Sequence, residues 1–352
     1  MNQNTKDKQA TSLEYKCPGC NASISFNPKI GKWRCDYCGN IYTLNEIEKK
    51  KDKEVSVDEY DAYTSFKCES CGAEIIGDEE TTATFCVYCG NTAILKSRLS
   101  GKFMPNKVIP FKTTKEEAIT AFKNLKKGRP LVPKDFTNQK NIEKIRGIYI
   151  PFWLYDIAVS GEITYNATKV KRWSVGDTYY TNTKNYKLIR AGTVDFDAIP
   201  IDGSTRFNNA IMNTIEPFDY KELIDYNHAY LSGFYAEKYD IADSQELFNE
   251  VSKRALNSTV NKFRDTIRSF DTATAIKTNL TPQELRKQYA LFPVWMVNVK
   301  YKNKMYLFAM NGQTGKFIGD IPLDKTKAVL YAIVIFILCS LLIILITALT
   351  FK

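Results

Sequence analysis

Eight of the nine cysteines fall into two sets with one internal spacing, and the second set is the first displaced by 51 residues. Cys17, Cys20, Cys35 and Cys38 become Cys68, Cys71, Cys86 and Cys89, each set reading C-x2-C, fourteen residues, C-x2-C. Two residues between cysteines let one tight turn aim both sulfurs at a single ion, and two such turns joined by a short hairpin complete a tetrahedron. The residue after each second cysteine must adopt positive φ so that backbone N–H groups can face the sulfurs. Asn21, Gly39, Gly72 and Gly90 stand there, the residue types that tolerate that conformation best. Lys16/Lys67, Ala22/Ala73, Ile24/Ile75, Tyr37/Tyr88, Asn40/Asn91 and Leu44/Leu95 repeat at the same offset, so the whole module is duplicated.

This spacing predicts two zinc ribbons, with all eight cysteines as ligands and two structural Zn2+ ions. A disulfide framework would need an oxidising compartment, for which nothing in the chain speaks. A thioredoxin-type redox site uses one CxxC, not four. Iron in a rubredoxin-like site is the metal alternative, although such sites have a longer gap between pairs. A closed four-cysteine site offers no open position to a substrate; it staples a module of about forty residues, too small to build a sufficient core.

Ala328 to Phe351 is a run of 24 residues without a charged side chain, preceded by Lys325 and Lys327. At about 1.5 Å per residue it reaches roughly 36 Å, enough to cross a hydrocarbon core of about 30 Å. The ninth cysteine, Cys339, lies inside this run and reads as a small apolar residue. Met1 to Ser12 is polar, with no apolar stretch of signal-peptide type. The expectation is a single-pass, C-terminally anchored protein of the cell membrane, its soluble part in the cytoplasm, where thiolates stay reduced.

Charge argues about partners. Residues 1–100 hold 13 Lys+Arg against 15 Asp+Glu, and residues 101–352 hold the other 36 against 24. Each zinc with four thiolates adds about −2 to the first part. A ribbon that bound nucleic acid should carry the positive charge itself. Here the excess lies on the membrane-proximal part, which suits an anionic leaflet or a protein partner.

The chain therefore reads as multidomain: a flexible tail (1–13), zinc ribbon 1 (14–44), a charged linker (45–64), zinc ribbon 2 (65–95), a hinge (96–107), an α+β domain (108–324) and a transmembrane helix (328–351). In the α+β part, Thr114 with Glu117 forms a capping box, and Gly128 and Pro130 end that helix. Lys123, Lys126, Lys127 and Arg129 cluster there, as a solvated helix end or as a contact for headgroups or an acidic partner. Residues 148–159 and 162–172 read as strands joined by a hairpin at Ser160-Gly161. Asp243 caps a helix to Ser269, with Leu247, Val251, Ala255, Val260, Phe263 and Ile267 on its core face. A strand (272–280), a short helix from Thr281-Pro282 and strands 290–301, 304–310 and 316–321 follow. Pro151-Phe152-Trp153 and Pro293-Val294-Trp295 echo each other and suggest two related β units.

No catalytic constellation stands out, and the chain reads as a non-enzyme. His228 is the one histidine. Glu216, Asp219, Glu222 and Asp225 read as a solvated acidic face, and Asp195 with Asp197 as exposed strand residues. Gly312-Gln313-Thr314-Gly315-Lys316 lacks the spacing of a phosphate loop. A cleft assembled from distant residues would be invisible in one sequence.

The paired ribbons (CPGC…CDYCGN and CESC…CVYCGN), the YIPFWLYD and FPVWMV segments, the NGQTGK turn and the terminal apolar run together resemble a group of bacterial membrane proteins. These are the zinc-ribbon proteins encoded beside phage-shock-protein-A-type envelope-stress proteins in Bacillus-like bacteria. The ribbons alone are similar to the transcription factor IIB and replication factor Y types; Walker loops and a DEAD-type box are absent, so helicase activity is not carried over. The resemblance implies a membrane adaptor that recruits a stress-response protein, of band-7 (flotillin-like) or phage-shock type. The alternative is a membrane-tethered nucleic-acid binder using Trp33, Arg34 and Tyr37 as an aromatic-basic edge of ribbon 1.

Overall fold

The computed structural model describes residues 10–11, 14–49, 65–69, 74–76, 81–85, 92–95, 103–133, 136, 138, 142, 145–204, 212, 214–239, 241–302, 304–319 and 321–350. Strands β1 (Ala10–Thr11), β2 (Ser25–Asn27), β3 (Lys32–Arg34) and β4 (Ile41–Tyr42) precede a short helix α1 (Leu44–Glu48). Then come β5 (Ser65–Lys67), β6 (Glu74–Ile76), β7 (Thr81–Phe85), β8 (Thr92–Ile94), β9 (Lys107–Val108) and helix α2 (Lys115–Asn124). The body consists of β10 (Arg146–Val175), β11 (Thr178–Asp202), β12 (Ile224–Asp225), β13 (Tyr235–Glu237), helix α3 (Gln245–Asp265), β14 (Thr272–Tyr301), β15 (Lys304–Asn311) and β16 (Phe317–Gly319). Helix α4 (Lys325–Thr350) ends it.

One mixed sheet runs β12-β9-β14-β10-β13-β7-β8, with β11 also on β10, and with β15 on β14 and β16 on β15. Its spine is the antiparallel pair β10/β14, in register from Arg146↔Met296 to Thr168↔Thr272. The two echoing segments lie on these paired strands but out of direct register, with Pro293 opposite Tyr149 and Trp153 opposite Tyr289. Alternate residues of β10 enter separate cores. Tyr149, Trp153 and Tyr155 join one, while Ile150, Phe152 and Leu154 join the other. A strand covered on both faces reads as a near-continuous apolar run, as 148–155 does ahead of Asp156. Phe111 stacks on Phe234 at 4.1 Å in the first core, and Phe152 on Phe292 at 4.6 Å in the second.

The structure corrects the hairpin expected at Ser160-Gly161. β10 continues through it, and the turn comes at Gly176, whose φ is +58°. Gly161 serves close approach instead: the Asn279 carbonyl oxygen lies 2.0 Å from where a Cβ would stand. The helix expected from Thr281-Pro282 is likewise part of β14. Pro282 is tolerated because β14 is there hydrogen-bonded along one side only, to β10, among the described residues. The register shifts between Asp156 and Ile157 and again between Thr164 and Tyr165, which bends the ribbon.

The Thr114/Glu117 capping box forms, and Ala118 and Phe122 are buried beneath α2. Helix α3 is capped by Ser244 rather than Asp243. Asp243 is used elsewhere, accepting a 2.6 Å hydrogen bond from Tyr155 and pairing with Lys287. The expected stripe does face inward: Leu247, Val251, Ala255, Phe263 and Ile267 are buried. Around Phe263 and Ile267 the helix covers Ile163 and Tyr165 of the ribbon.

Beyond Thr168 and Thr272 the third strand ends, and β10 and β11 continue as a two-stranded arm. Lys171 to Lys187 is exposed throughout. Trp173 and Tyr180 stack across the arm, ring centroids 5.5 Å apart. Lys169, Lys171, Arg172 and Lys184 lie on the same arm, against the single acid Asp177.

Candidate metal centre

The first cysteine set converges. Two hairpin strands and a third, β2-β3-β4, lie between and after the two CxxC turns. In the first turn Asn21 N–H donates to Cys17 O at 2.9 Å and Cys17 N–H to Ala22 O at 2.7 Å. In the second, Gly39 N–H donates to Cys35 O at 2.8 Å and Cys35 N–H to Asn40 O at 2.9 Å. Both turns close through positive φ, +63° at Asn21 and +76° at Gly39, the conformation the spacing requires.

The four sulfurs of Cys17, Cys20, Cys35 and Cys38 all lie within 4.8 Å of one another. Cys17 Sγ is 3.6 Å from Cys38 Sγ, and Cys20 Sγ is 3.5 Å from Cys35 Sγ. A tetrahedral zinc with Zn–S bonds of about 2.3 Å needs sulfurs about 3.8 Å apart, so the donor set fits a four-thiolate ion. Cys17 and Cys35 are fully buried, Cys20 is half-buried and Cys38 is exposed, so the ion would be closed in by protein on one side.

The thiols differ in acidity before any metal is counted. Burial opposes ionisation of Cys17, but hydrogen bonds from the Tyr42 hydroxyl and from the backbone at Cys20 and Gly19 outweigh it, lowering the thiol to about 6. The Ala22 backbone favours the Cys20 thiolate, but burial and its contacts with Cys35, Cys38 and Cys17 prevail, pushing it up to about 12. Cys17 therefore ionises more readily than Cys20, and a four-thiolate ion needs both deprotonated.

Of the second set, Cys68 is buried at the end of β5, while Cys71, Cys86 and Cys89 lie outside the described residues. The flanking hairpins are present, β5 antiparallel to β6 and β7 antiparallel to β8. β7 also pairs with β13, which carries this second module's last hairpin into the main sheet.

The first module is docked as well. Trp33, 2% exposed, donates from Nε1 to Ala229 O at 2.9 Å and packs on Phe26 and Tyr230, each at 5.1 Å. Phe26 N–H donates to Ser232 O at 3.0 Å, and Asn227 Nδ2 to Glu48 at 2.6 Å. The expected aromatic-basic edge is therefore broken up: Trp33 is spent on packing, while Arg34 and Tyr37 stay exposed. A cleft of about 370 Å³ opens along the seam, lined by Arg34, Asp36, Lys115, Glu116 and Arg146, charges of both signs.

The remaining candidates are tied up structurally. Glu216 pairs with Arg254, Glu222 with Lys112 and Asp225 with Lys107, so the acidic residues are distributed among cations rather than gathered around an ion. In the Asn311–Lys316 turn, Asn311 Oδ1 accepts from Gln313 and Thr314 N–H at 2.9 Å each, occupying the N–H groups a phosphate would need. His228 sits in a one-turn 3-10 segment, its ring against Tyr226. Helix α4 is long and apolar enough to span a membrane over Lys325–Ile344, and none of that segment is buried in the protein.

Compared with known proteins, the chain is 34% identical over 315 residues to Uncharacterized protein YdjG of Bacillus subtilis (strain 168), which covers 90% of this chain and 92% of that protein. The chain belongs to the YdjG family. No family model matches the chain. No solved structure matches it either.

Proposed function

We propose that this member of the YdjG family is a membrane-anchored adaptor. It is held in the cell membrane by α4, faces the cytoplasm, carries one structural Zn2+ in each cysteine module, and recruits protein partners to the bilayer, in keeping with a role in envelope stress. The observation that carries this reading is the bare arm of β10 and β11. It presents Tyr179, 88% exposed, beside the Trp173/Tyr180 stack, at the end of the spine away from Tyr301 and the terminal helix. The outer side of β11 has no strand on it among the described residues, and such an edge accepts an added strand from a partner. Aromatic residues on an exposed rigid element are the usual anchors of protein contacts. The second zinc rests on the repeated spacing of Cys68, Cys71, Cys86 and Cys89 and on the two flanking hairpins. The cytoplasmic orientation rests on the need for reduced thiolates and on Lys325 and Lys327 ahead of the apolar run.

A second reading, a membrane-tethered nucleic-acid binder, is favoured by the same arm: four cations and a pair of stacked rings share a two-stranded ribbon, a shape that a major groove admits. One experiment separates the two. Proteins crosslinked in intact membranes are captured with wild type, with Cys35→Ser plus Cys86→Ser, and with Trp173→Ala plus Tyr180→Ala, each with and without nuclease. Partners that survive nuclease and disappear with the arm variant support the adaptor. Recovery of nucleic acid, with protein lost after nuclease, overturns it.

A further inference from the structure

The sequence leaves the Lys123–Arg129 cluster as either a solvated helix end or a contact surface. The fold decides where it stands. After α2 the chain makes three successive turns, Lys127 N–H to Asn124 O (2.9 Å), Arg129 N–H to Lys126 O (3.0 Å) and Val132 N–H to Arg129 O (3.2 Å), with Gly128 at φ +72°. This ordered loop is then fastened to the base of the terminal helix nearly two hundred residues later. Leu131 O accepts from Asp324 N–H at 2.9 Å, and Val132 O accepts from Lys327 Nζ at 3.0 Å. The loop therefore stands at the level of Lys325 and Lys327, immediately before the uncharged run that begins at Ala328.

A second basic turn meets the first. Phe136 packs against Phe122 of α2 at 6.2 Å, and against Tyr301 at 6.2 Å and Tyr306 at 5.7 Å, the residues that flank the β14–β15 turn. Lys302 lies over the Tyr301 ring at 5.5 Å and Lys304 over Tyr306 at 5.3 Å. Lys127, Arg129, Lys302, Lys304 and Lys325 are all exposed, and none has an acidic partner among the described residues. The nearby carboxylate of Asp324 is taken up by Thr326 and Lys327 N–H groups, at 3.2 and 3.3 Å.

We propose that Lys127, Arg129, Lys302, Lys304 and Lys325 form a cationic collar that holds anionic phospholipid headgroups around the base of α4. The depth selects lipid over an acidic protein, because a helix entering the bilayer after Lys327 leaves these side chains in the headgroup layer. Lysine and arginine stems there snorkel to phosphate, and tyrosines sit at the same level. The arm cannot share this surface: β14 runs about 95 Å of strand contour between the level of Thr272 and the collar at Tyr301. The inference rests on α4 spanning a bilayer and not on the adaptor reading, so failed partner capture leaves it standing.

The test uses the full chain in mixed micelles with equal phosphatidylglycerol and phosphatidylcholine, retained lipids being counted by native mass spectrometry. Each headgroup-level cation gives about a five-fold preference for anionic lipid, so several together should favour phosphatidylglycerol by at least about ten-fold. Lys127→Gln, Arg129→Gln, Lys302→Gln, Lys304→Gln and Lys325→Gln combined should bring the ratio to near parity. The charge-matched variant on β10 and β11, Lys169→Gln, Lys171→Gln, Arg172→Gln, Lys184→Gln and Lys187→Gln, should retain the preference. Equal retention by wild type overturns the proposal, as does an equal loss in both variants, which would make the effect one of net charge. Millimolar inorganic phosphate abolishing the preference would also overturn it, by showing a free-anion site.

Discussion

Replacing Trp33 with alanine tests whether the first cysteine module is a docked part of the body. Trp33 is 2% exposed, packs on two rings and holds the Ala229 carbonyl. Large-to-alanine changes at such sites cost about 3–5 kcal/mol, and the lost Nε1 bond adds little because Ala229 O keeps its hydrogen bond from Ser232 N–H at 3.0 Å. We take about 4 kcal/mol, which at about 1.4 kcal/mol per decade is roughly a thousand-fold in an opening equilibrium. Hydrogen exchange on the full chain in micelles reads this directly, as faster exchange at Phe26 and Phe234, whose N–H groups bond to Ser232 O and Leu231 O. Trp33→Phe keeps most of the buried area and loses the Nε1 bond, so it should cost only about 1–2 kcal/mol. Zinc content should stay unchanged in both variants, because no ligand is touched. The reasoning is refuted if Trp33→Ala leaves exchange within three-fold of wild type while abolishing binding to some other molecule, the behaviour of an exposed recognition residue.

Four further outcomes follow from the geometry. Metal affinity at the Cys17 site should fall as pH falls, since all four thiols must be deprotonated and Cys20 starts near 12; chelator competition with proton-release titration measures both, and a pH-independent affinity would refute it. Thr114→Ala should destabilise by about 1 kcal/mol in denaturant melts. The Lys29 ammonium and Thr114 N–H hold Glu117 below the usual carboxylate range, so its contribution is complete above the ordinary Glu value and lost as pH drops through the depressed one; a Glu117→Gln variant should lack that acid limb. Gly161→Ala should cost more than about 3 kcal/mol and prevent normal expression, because φ is +140° and the new Cβ would meet Asn279 O; a near-neutral melt would show that the strand does not continue there.

What was legible in the sequence is what short-range chemistry decides. The CxxC turns, the left-handed residues Asn21 and Gly39, the Thr114/Glu117 box and the core stripe of α3 each depend on neighbours within a few positions, and each is found. Helix α4 was legible because a long uncharged run has few places to go. The misreadings share one cause. Ser160-Gly161 looks like a turn and Thr281-Pro282 like a helix start because both motifs serve those uses locally. In the protein each sits in a long strand whose conformation is set by its partner on the other side of the ribbon, Gly161 opposite Leu280 and Thr281 opposite Ser160. Asp243 lost its expected cap role to Ser244 because Tyr155 and Lys287 compete for its carboxylate.

The cysteine set of the metal centre and the apolar run of the terminal helix were determined by sequence alone, since coordination number and charge-free length are properties of the residues themselves. Tertiary structure alone decided that Trp33 is a buried peg against Ala229, that β10 and β11 outrun the third strand as a bare arm, and that the Lys127–Arg129 loop is fastened to Lys327. Each of these joins residues far apart in the chain. Such pairings depend on which surfaces the folded body brings together, and no local pattern encodes that.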